Sequence, residues 1–323
     1  ASPNCFISYH FSHLCEVRSH PVKQWAAGLP DAQCNNSAGR WVGDSTWRME
    51  IRGITTTAKK HIEFLVDVRK AVENVNRSQL LHDAKLNSYP MAEALASITS
   101  YSWPRYITCE ILIPEPISTK RGIDAGSAFS IFDLWCLLRS AIMNLQVAHP
   151  RSTLCLHVDD LCLTDTGETS IEVLVEADSM VAMATHEFTI LRGLPFAEEK
   201  TFVISSDAAL AMPAAKNILP SATAAENVRR LGVDYNLAAL ATKMCDALPV
   251  CRQRLKGVAS NVNRLRRIAP NGAPKLFSAG IIPSVLYVAA HFAVPPKDIA
   301  MLQRQAAKCS NARPFGVQAV LDH

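Results

Sequence analysis

Leu154-Cys155-Leu156-His157-Val158-Asp159-Asp160-Leu161-Cys162-Leu163 consists of two apolar arms joined by a pair of acidic residues. The arms predict two strands, and the polar centre predicts a tight turn between them. Neighbouring carboxylates repel, and neither has a cation beside it in sequence, so a hairpin carrying both at its tip is costly for stability alone. Hard divalent cations relieve such repulsion, since Mg²⁺ is held by one or two carboxylates together with substrate phosphates. A plain surface turn, where Asp is common, accounts for the same residues. The flanking sequence decides between the two readings.

Upstream, residues 61–67 (HIEFLVD) alternate like a strand and end on a third carboxylate, Asp67. Residues 68–86 carry Val68, Ala71, Val72, Val75, Leu80 and Leu81 at helical spacing, and Pro90 opens a second helix running to about Tyr101. A strand near residues 106–113 and a Pro-rich charged loop follow. Residues 126–147 predict a long buried helix containing Phe129, Leu134, Leu137, Leu138 and Ile142. After the hairpin come an acidic-faced helix from about Ile171 to Leu191, a strand over 200–205 and a short strand over 228–235. Beyond Asn236 the spacing is helical to the end. The middle thus reads βααβαββαβ, an α+β layout with an antiparallel sheet, and the tail reads as an all-helical lobe. With the first strand beside the hairpin, Asp67, Asp159 and Asp160 converge at one sheet edge, as two-metal nucleotidyl transfer requires.

At 323 residues, 49% hydrophobic and 19% charged, the chain is that of a globular protein with two or three subdomains. A net charge of +4 does not by itself imply a nucleic-acid partner, but its distribution is uneven. Arg252, Arg254, Lys256, Arg264, Arg266 and Arg267 fall in one stretch without an acidic residue. Leu255, Val258, Val262 and Leu265 recur there at three- and four-residue steps, so one face can bury while basic side chains line the rest. Such a helix suits the phosphate backbone of a duplex; a solvated surface helix is the alternative. Ten cysteines without a C-x-x-C pair or zinc spacing predict a reduced, intracellular protein. The uncharged apolar run 284–294 is too short to span a bilayer, which predicts no membrane association.

Five motifs in order, over roughly residues 36–308, give the chain a resemblance to the reverse transcriptase domain of non-LTR retrotransposons. Phe64-Leu65-Val66-Asp67-Val68-Arg69-Lys70-Ala71-Val72-Glu73 resembles the first motif, in which an Asp ends a strand and Lys-Ala follows. Arg121-Gly122-Ile123-Asp124-Ala125-Gly126-Ser127 resembles the Arg-Gly-x-x-x-Gly motif that opens a supporting helix. His157-Val158-Asp159-Asp160 resembles the aromatic-x-Asp-Asp box, and residues 193–201 (GLPFAEEKT) resemble the Gly-Leu…Lys-Thr motif. Leu231-Gly232-Val233 is similar to the short hairpin between palm and thumb, and the segment around Tyr287 to the thumb signature.

The resemblance implies a right-hand polymerase with a ferredoxin-like antiparallel palm and a helical thumb. Residues 1–60 would be partial fingers, 61–235 the palm with finger elements, and 236–323 the thumb and tail. It implies an RNA-directed DNA polymerase that extends a DNA primer on an RNA template from deoxynucleoside triphosphates, using Mg²⁺ (or Mn²⁺), in the nucleus. Asp67, Asp159 and Asp160 would be the catalytic metal ligands. Val72, Gly122, Gly126 and Lys200 would line the nucleotide site, and Arg121 with the basic thumb residues would contact nucleic acid. Arg40, Arg48 and Arg52, with Trp41 and Trp47 between them, are further candidates for phosphate contact.

Three positions depart from the family pattern. Val72 stands where an aromatic usually excludes the ribonucleotide 2′-hydroxyl, Ala125 where a Gln is usual, and His157 where an aromatic precedes the Asp pair. These changes spare the carboxylates. They leave open a second reading, a catalytically decayed copy that keeps only nucleic-acid binding, and a third, an RNA-templated RNA polymerase.

Overall fold

β1 (Lys60–Asp67) is the central strand of a five-stranded sheet with the order β2-β3-β1-β4-β5. The computed structural model describes residues 18–29, 60–104, 115–226, 228–231, 233–235, 249–287 and 296–310. The chain divides into two compact units, parting after Glu226. In the first, β1 runs antiparallel to β3 (Asp160–Gly167) and to β4 (Phe202–Ser205), and β2 (Thr153–His157) is antiparallel to β3. β5 (Thr223–Ala224) is parallel to β4, so the sheet is mixed and not the antiparallel one expected. The cause is a helix, Ala208–Asn217, which carries the chain back between β4 and β5 as a crossover.

Strand alternation sets the two sheet faces. Ile62, Phe64 and Val66 share a face with Leu161 and Leu163, Leu154 and Leu156, and all seven are buried. The other face carries His61, Glu63, Leu65 and Asp67 of β1 beside Thr164, Cys162 and Asp160 of β3. Cys155 and Cys162 are register partners there, both buried and not joined in a disulfide.

The helices of this unit are α1 (residues 18–27), α2 (Ala71–Asn74), α3 (Arg77–Leu86), α4 (Met91–Tyr101), α5 (Ser130–Ala148), α6 (Ser170–Thr185, continued by a π-helical run to Leu191) and α7 (Ala208–Asn217). The single helix expected over 68–86 is broken. Val68 instead bridges Phe196, and Asn76 caps α3 by accepting from the Ser78 and Gln79 amides. α5 starts at Ser130 and not at Gly126, because Asp124 and Ser127 take up the intervening amides: Gly126 N donates to Asp124 Oδ1 at 3.3 Å and Phe129 N to Ser127 Oγ at 3.2 Å.

α5 is long and apolar enough by length and composition to cross a membrane. Ile131 and Val147 are exposed, while Leu134, Trp135, Leu137, Leu138, Ile142 and Leu145 are buried in the core. Asp133 sits among them, accepting hydrogen bonds from Tyr89 Oη at 2.9 Å and Tyr101 Oη at 2.7 Å. Burial pushes its carboxyl up to about 6, against the opposing pull of these hydrogen bonds. α1 is pinned nearby by Arg18, which donates to Glu93 O and Ser97 Oγ, and by Trp25, which donates to Asn87 O.

The second unit opens with a hairpin, β6 (Val228–Arg230) and β7 (Val233–Tyr235), where spacing suggested one short strand and the family resemblance a short hairpin. It continues with α8 (Pro249–Ile268), α9 (Ala273–Leu276), a π-helical turn (Phe277–Ile281), α10 (Ile282–Leu286) and α11 (Pro296–Cys309). Leu255, Val258 and Val262 of α8 join Phe277, Val285 and Leu302 in a core of their own, the apolar face that the spacing predicted. The strand expected near 106–113, and Arg40, Trp41, Trp47, Arg48 and Arg52, lie outside the described residues.

Candidate active site

Asp67 is the last residue of β1 and stands opposite Asp160, the first residue of β3. Asp160 in turn stands opposite His157, the last residue of β2, so these three form one row across three strands on one face. Val158 and Asp159 make the two-residue turn. Val158 has a φ of 57°, a strained value for a β-branched residue where the chain would ordinarily use Gly. The turn is tied to the end of β1 by Val68 N, which donates to Asp159 O at 3.0 Å. The three acidic residues that lie far apart in sequence are thus gathered at one sheet edge.

Their charges act on one another. Burial raises the Asp159 carboxyl above the usual carboxylate range, Asp160 and Asp67 push it further, and Lys200 pulls it back. Lys200 Nζ lies 3.1 Å from Asp67 Oδ2, and this contact raises the lysine above its ordinary value. Lys200 belongs to a 3₁₀ turn (Glu198–Lys200) just before β4, and not to the strand itself as the sequence suggested. That turn is fixed to the end of β1 by two backbone hydrogen bonds, Ala197 N to Asp67 O and Arg69 N to Pro195 O, both 2.8 Å, which together make the Val68–Phe196 bridge. An exposed Arg69–Glu199 pair at 3.3 Å lies alongside.

The donor set suits Mg²⁺: three carboxylates that repel one another, one of them, Asp67, accepting a hydrogen bond from the Lys200 ammonium. As they stand, and among the described residues, no three His, Cys, Asp or Glu side chains are drawn together around a single ion position. The fit is one of chemistry and edge placement.

A second group of expected residues meets at the exit of α2. Gly122 N donates to Val75 O at 2.8 Å and Ile123 N to Val72 O at 2.9 Å, which brings Val72 and Gly122 together. Gly122 has a φ of 88°, and a Cβ there would lie 2.8 Å from Glu73 O, so glycine is required twice over. Gly126 is different: it is exposed, and a Cβ would meet only Asp124 Oδ1 at 3.7 Å. Arg121 is exposed beside this loop.

In the second unit Lys256, Arg264, Arg266 and Arg267 are exposed along α8. Arg254 donates to Ser284 O at 3.1 Å and lies over the Tyr287 ring. It lines an open groove with Gln253, Gly257, Asn261 and Ser284. Arg252 lies on α8, but its side chain falls outside what the structure describes.

Sequence reasoning passed over Arg77, which donates to five residues around the Gly122 loop. Its one signal was position, as the first residue of a helix capped by Asn76.

No family model and no curated protein matches the chain. Solved structures do. Telomerase from Candida albicans in complex with a fragment of telomeric RNA is similar with a TM-score of 0.50 at 12% identity, over 91% of this chain and 47% of that one. Apo telomerase from Candida tropicalis gives 0.50 at 12% identity, over 92% of this chain and 55% of that one. The C. tropicalis enzyme with a telomeric RNA fragment gives 0.50 at 11%, over 95% and 53%. The chain therefore spans about half the length of the telomerases it matches. At such identities the likeness is one of fold alone: this is an α+β chain whose fold is similar to that of these telomerases.

Proposed function

We propose that the chain is an RNA-directed DNA polymerase domain of the non-LTR retroelement type, extending a primer on an RNA template from deoxynucleoside triphosphates. The observation that carries this reading is the pairing of Asp67 with Asp160 at the sheet edge, with Asp159 in the adjoining turn. The likeness in fold to telomerase supports it, as does the order of the five sequence motifs.

In this reading the sheet unit is the palm and the helical unit the thumb. Asp67 and Asp159 would hold Mg²⁺, with Asp160 assisting. When bound, the metal supplies positive charge to the phosphates and acidifies the attacking hydroxyl. Asp159, raised by burial and then by Asp160 and Asp67, is a carboxylate whose charge a bound cation would favour. Lys200 stands beside this cluster and can place its ammonium near nucleotide phosphates once released from Asp67. Val72, smaller than an aromatic, leaves room at the sugar and weakens selection against ribonucleotides. The exposed basic residues of α8 would contact the phosphates of the template–primer duplex.

The test is primer extension on a polyribonucleotide template with Mg²⁺, using the chain and its Asp159→Asn variant. Incorporation by the first and its loss in the second supports the proposal. Full-rate incorporation by the variant removes the carboxylate mechanism. If neither extends a primer but the chain still binds duplex in a salt-sensitive way, the decayed nucleic-acid-binding reading takes its place. Preference for ribonucleotides over deoxynucleotides would move the chain to the RNA polymerase class.

A further inference from the structure

We propose that Arg77 is a positioning residue for the nucleotide site: its guanidinium holds the loop 119–123 against the exit of α2, and so sets where Val72 stands. The proposal rests on the polymerase reading above. Arg77 Nε donates to Gly122 O at 2.8 Å. Nη1 donates to Thr119 O at 2.9 Å and Ser102 Oγ at 3.3 Å. Nη2 donates to Tyr101 O at 2.7 Å, to Thr119 Oγ1 at 2.8 Å and to Arg121 O at 3.3 Å. Every N–H of the fork is engaged, and four of the six acceptors are backbone carbonyls.

The loop needs such a clamp. Residues 119–123 lie outside helix and strand, so no ladder satisfies their carbonyls; a side chain does so instead. The close approach is demanding. Gly122 adopts a positive φ and has no space for a Cβ against Glu73 O. Two backbone bonds follow from it, Gly122 N to Val75 O and Ile123 N to Val72 O. These join the loop to α2 and its C-cap residue Val75, a helix that starts four residues after Asp67. Val72 is held through its own carbonyl, and that carbonyl is held by the loop that Arg77 fixes. A displacement of the loop would therefore be felt at Val72 and not at the carboxylates, whose ties run through β3 and the 195–197 segment.

A lysine cannot replace the fork, because it carries the charge on one nitrogen with three donors. The test uses the full chain and its Arg77→Lys variant, with amide hydrogen exchange at Gly122 and Ile123, melting temperature, and steady-state incorporation. Exchange at these two amides should quicken roughly tenfold, the factor that loss of one such hydrogen bond represents. The KM for deoxynucleotide should rise by a similar factor, with kcat and duplex affinity held, and selection against ribonucleotides should change. Thr119→Val, which deletes a single hydroxyl partner, should give the same pattern in smaller degree, and it serves if Arg77→Lys fails to fold. Unchanged exchange, or faster exchange with an unchanged KM, overturns the assignment while the polymerase reading stands. A wild-type chain that neither incorporates nor binds deoxynucleotide removes that reading and the assignment with it.

Discussion

Lys200 Nζ lies 3.1 Å from Asp67 Oδ2, so the carboxylate that ends β1 already holds one cation. A divalent ion held by Asp67, as proposed, would meet that ammonium whether it took Oδ1 beside it, shared Oδ2 or displaced the lysine. Lys200 is well exposed, and such a pair adds little to stability. Its effect should fall on ion affinity. Lys200→Ala should melt close to the wild-type temperature. It should also lower the Mg²⁺ concentration giving half-maximal thermal protection by roughly two- to fivefold, the range an exposed ion pair commands. Titration of Mg²⁺ against melting temperature checks this without reference to activity. An unmoved midpoint would mean that lysine and metal do not compete.

Asp133 predicts a pH signature in the fold itself. Its carboxyl is raised to about 6 by burial, so between the unfolded value and 6 the folded chain binds the proton more tightly than the unfolded one. The stabilisation from this group is full at low pH and is lost as pH rises through 6, amounting to about 3 kcal/mol by pH 7.5. Asp133→Asn keeps the shape and removes the titration. Urea unfolding at pH 4.5 and 7.5 should show the variant gaining on the wild type as pH rises. A constant difference between the two chains would contradict the assignment.

The two glycines of the Arg-Gly-x-x-x-Gly motif should respond in opposite ways. Gly122→Ala must accommodate a φ of 88° and a Cβ 2.8 Å from Glu73 O, and should cost about 1–3 kcal/mol. Gly126→Ala meets neither obstacle and should leave stability within about 0.5 kcal/mol. Denaturant melts of the two single variants decide the matter, and equal losses would contradict it.

Changing Arg264, Arg266 and Arg267 of α8 to Ala together should flatten the dependence of duplex affinity on salt. If each meets one phosphate, the slope of log K against log salt should fall by about 2.7. Binding measured from low to moderate salt provides the check. An unchanged slope would show that this face of the helix does not reach phosphate.

The carboxylate row was legible because strand alternation is short-ranged and the hairpin is closed by two residues: once Asp159 and Asp160 were placed at a turn, β1 could bring Asp67 beside them. The apolar stripe of α8 was readable for a similar reason. Other features were not. The break before Asn76 was hidden by apolar spacing that runs on across it, although Asn is a good cap. The turn over 126–129 looked helical because Asp124 and Ser127 compete for amides in a way periodicity does not register. β5 is two residues long and leaves no pattern, so the parallel edge of the sheet could not be foreseen. The role of Arg77 depends on acceptors from Tyr101 to Gly122, and no local rule relates an arginine to carbonyls so far along the chain.

The place of β1 in the middle of the sheet carries a consequence for how the protein is made. Both of its neighbours are supplied much later, by residues 160–167 and 202–205. While the ribosome is still short of Ser205, the strand that bears Asp67 has at least one open, apolar side, a template for pairing with another nascent copy. The carboxylate cluster thus cannot be gathered until residue 160 has been made, nor its strand be paired on both sides until residue 205 has. Premature termination or slow translation in the 100–200 region should yield aggregates in place of a partly folded soluble chain.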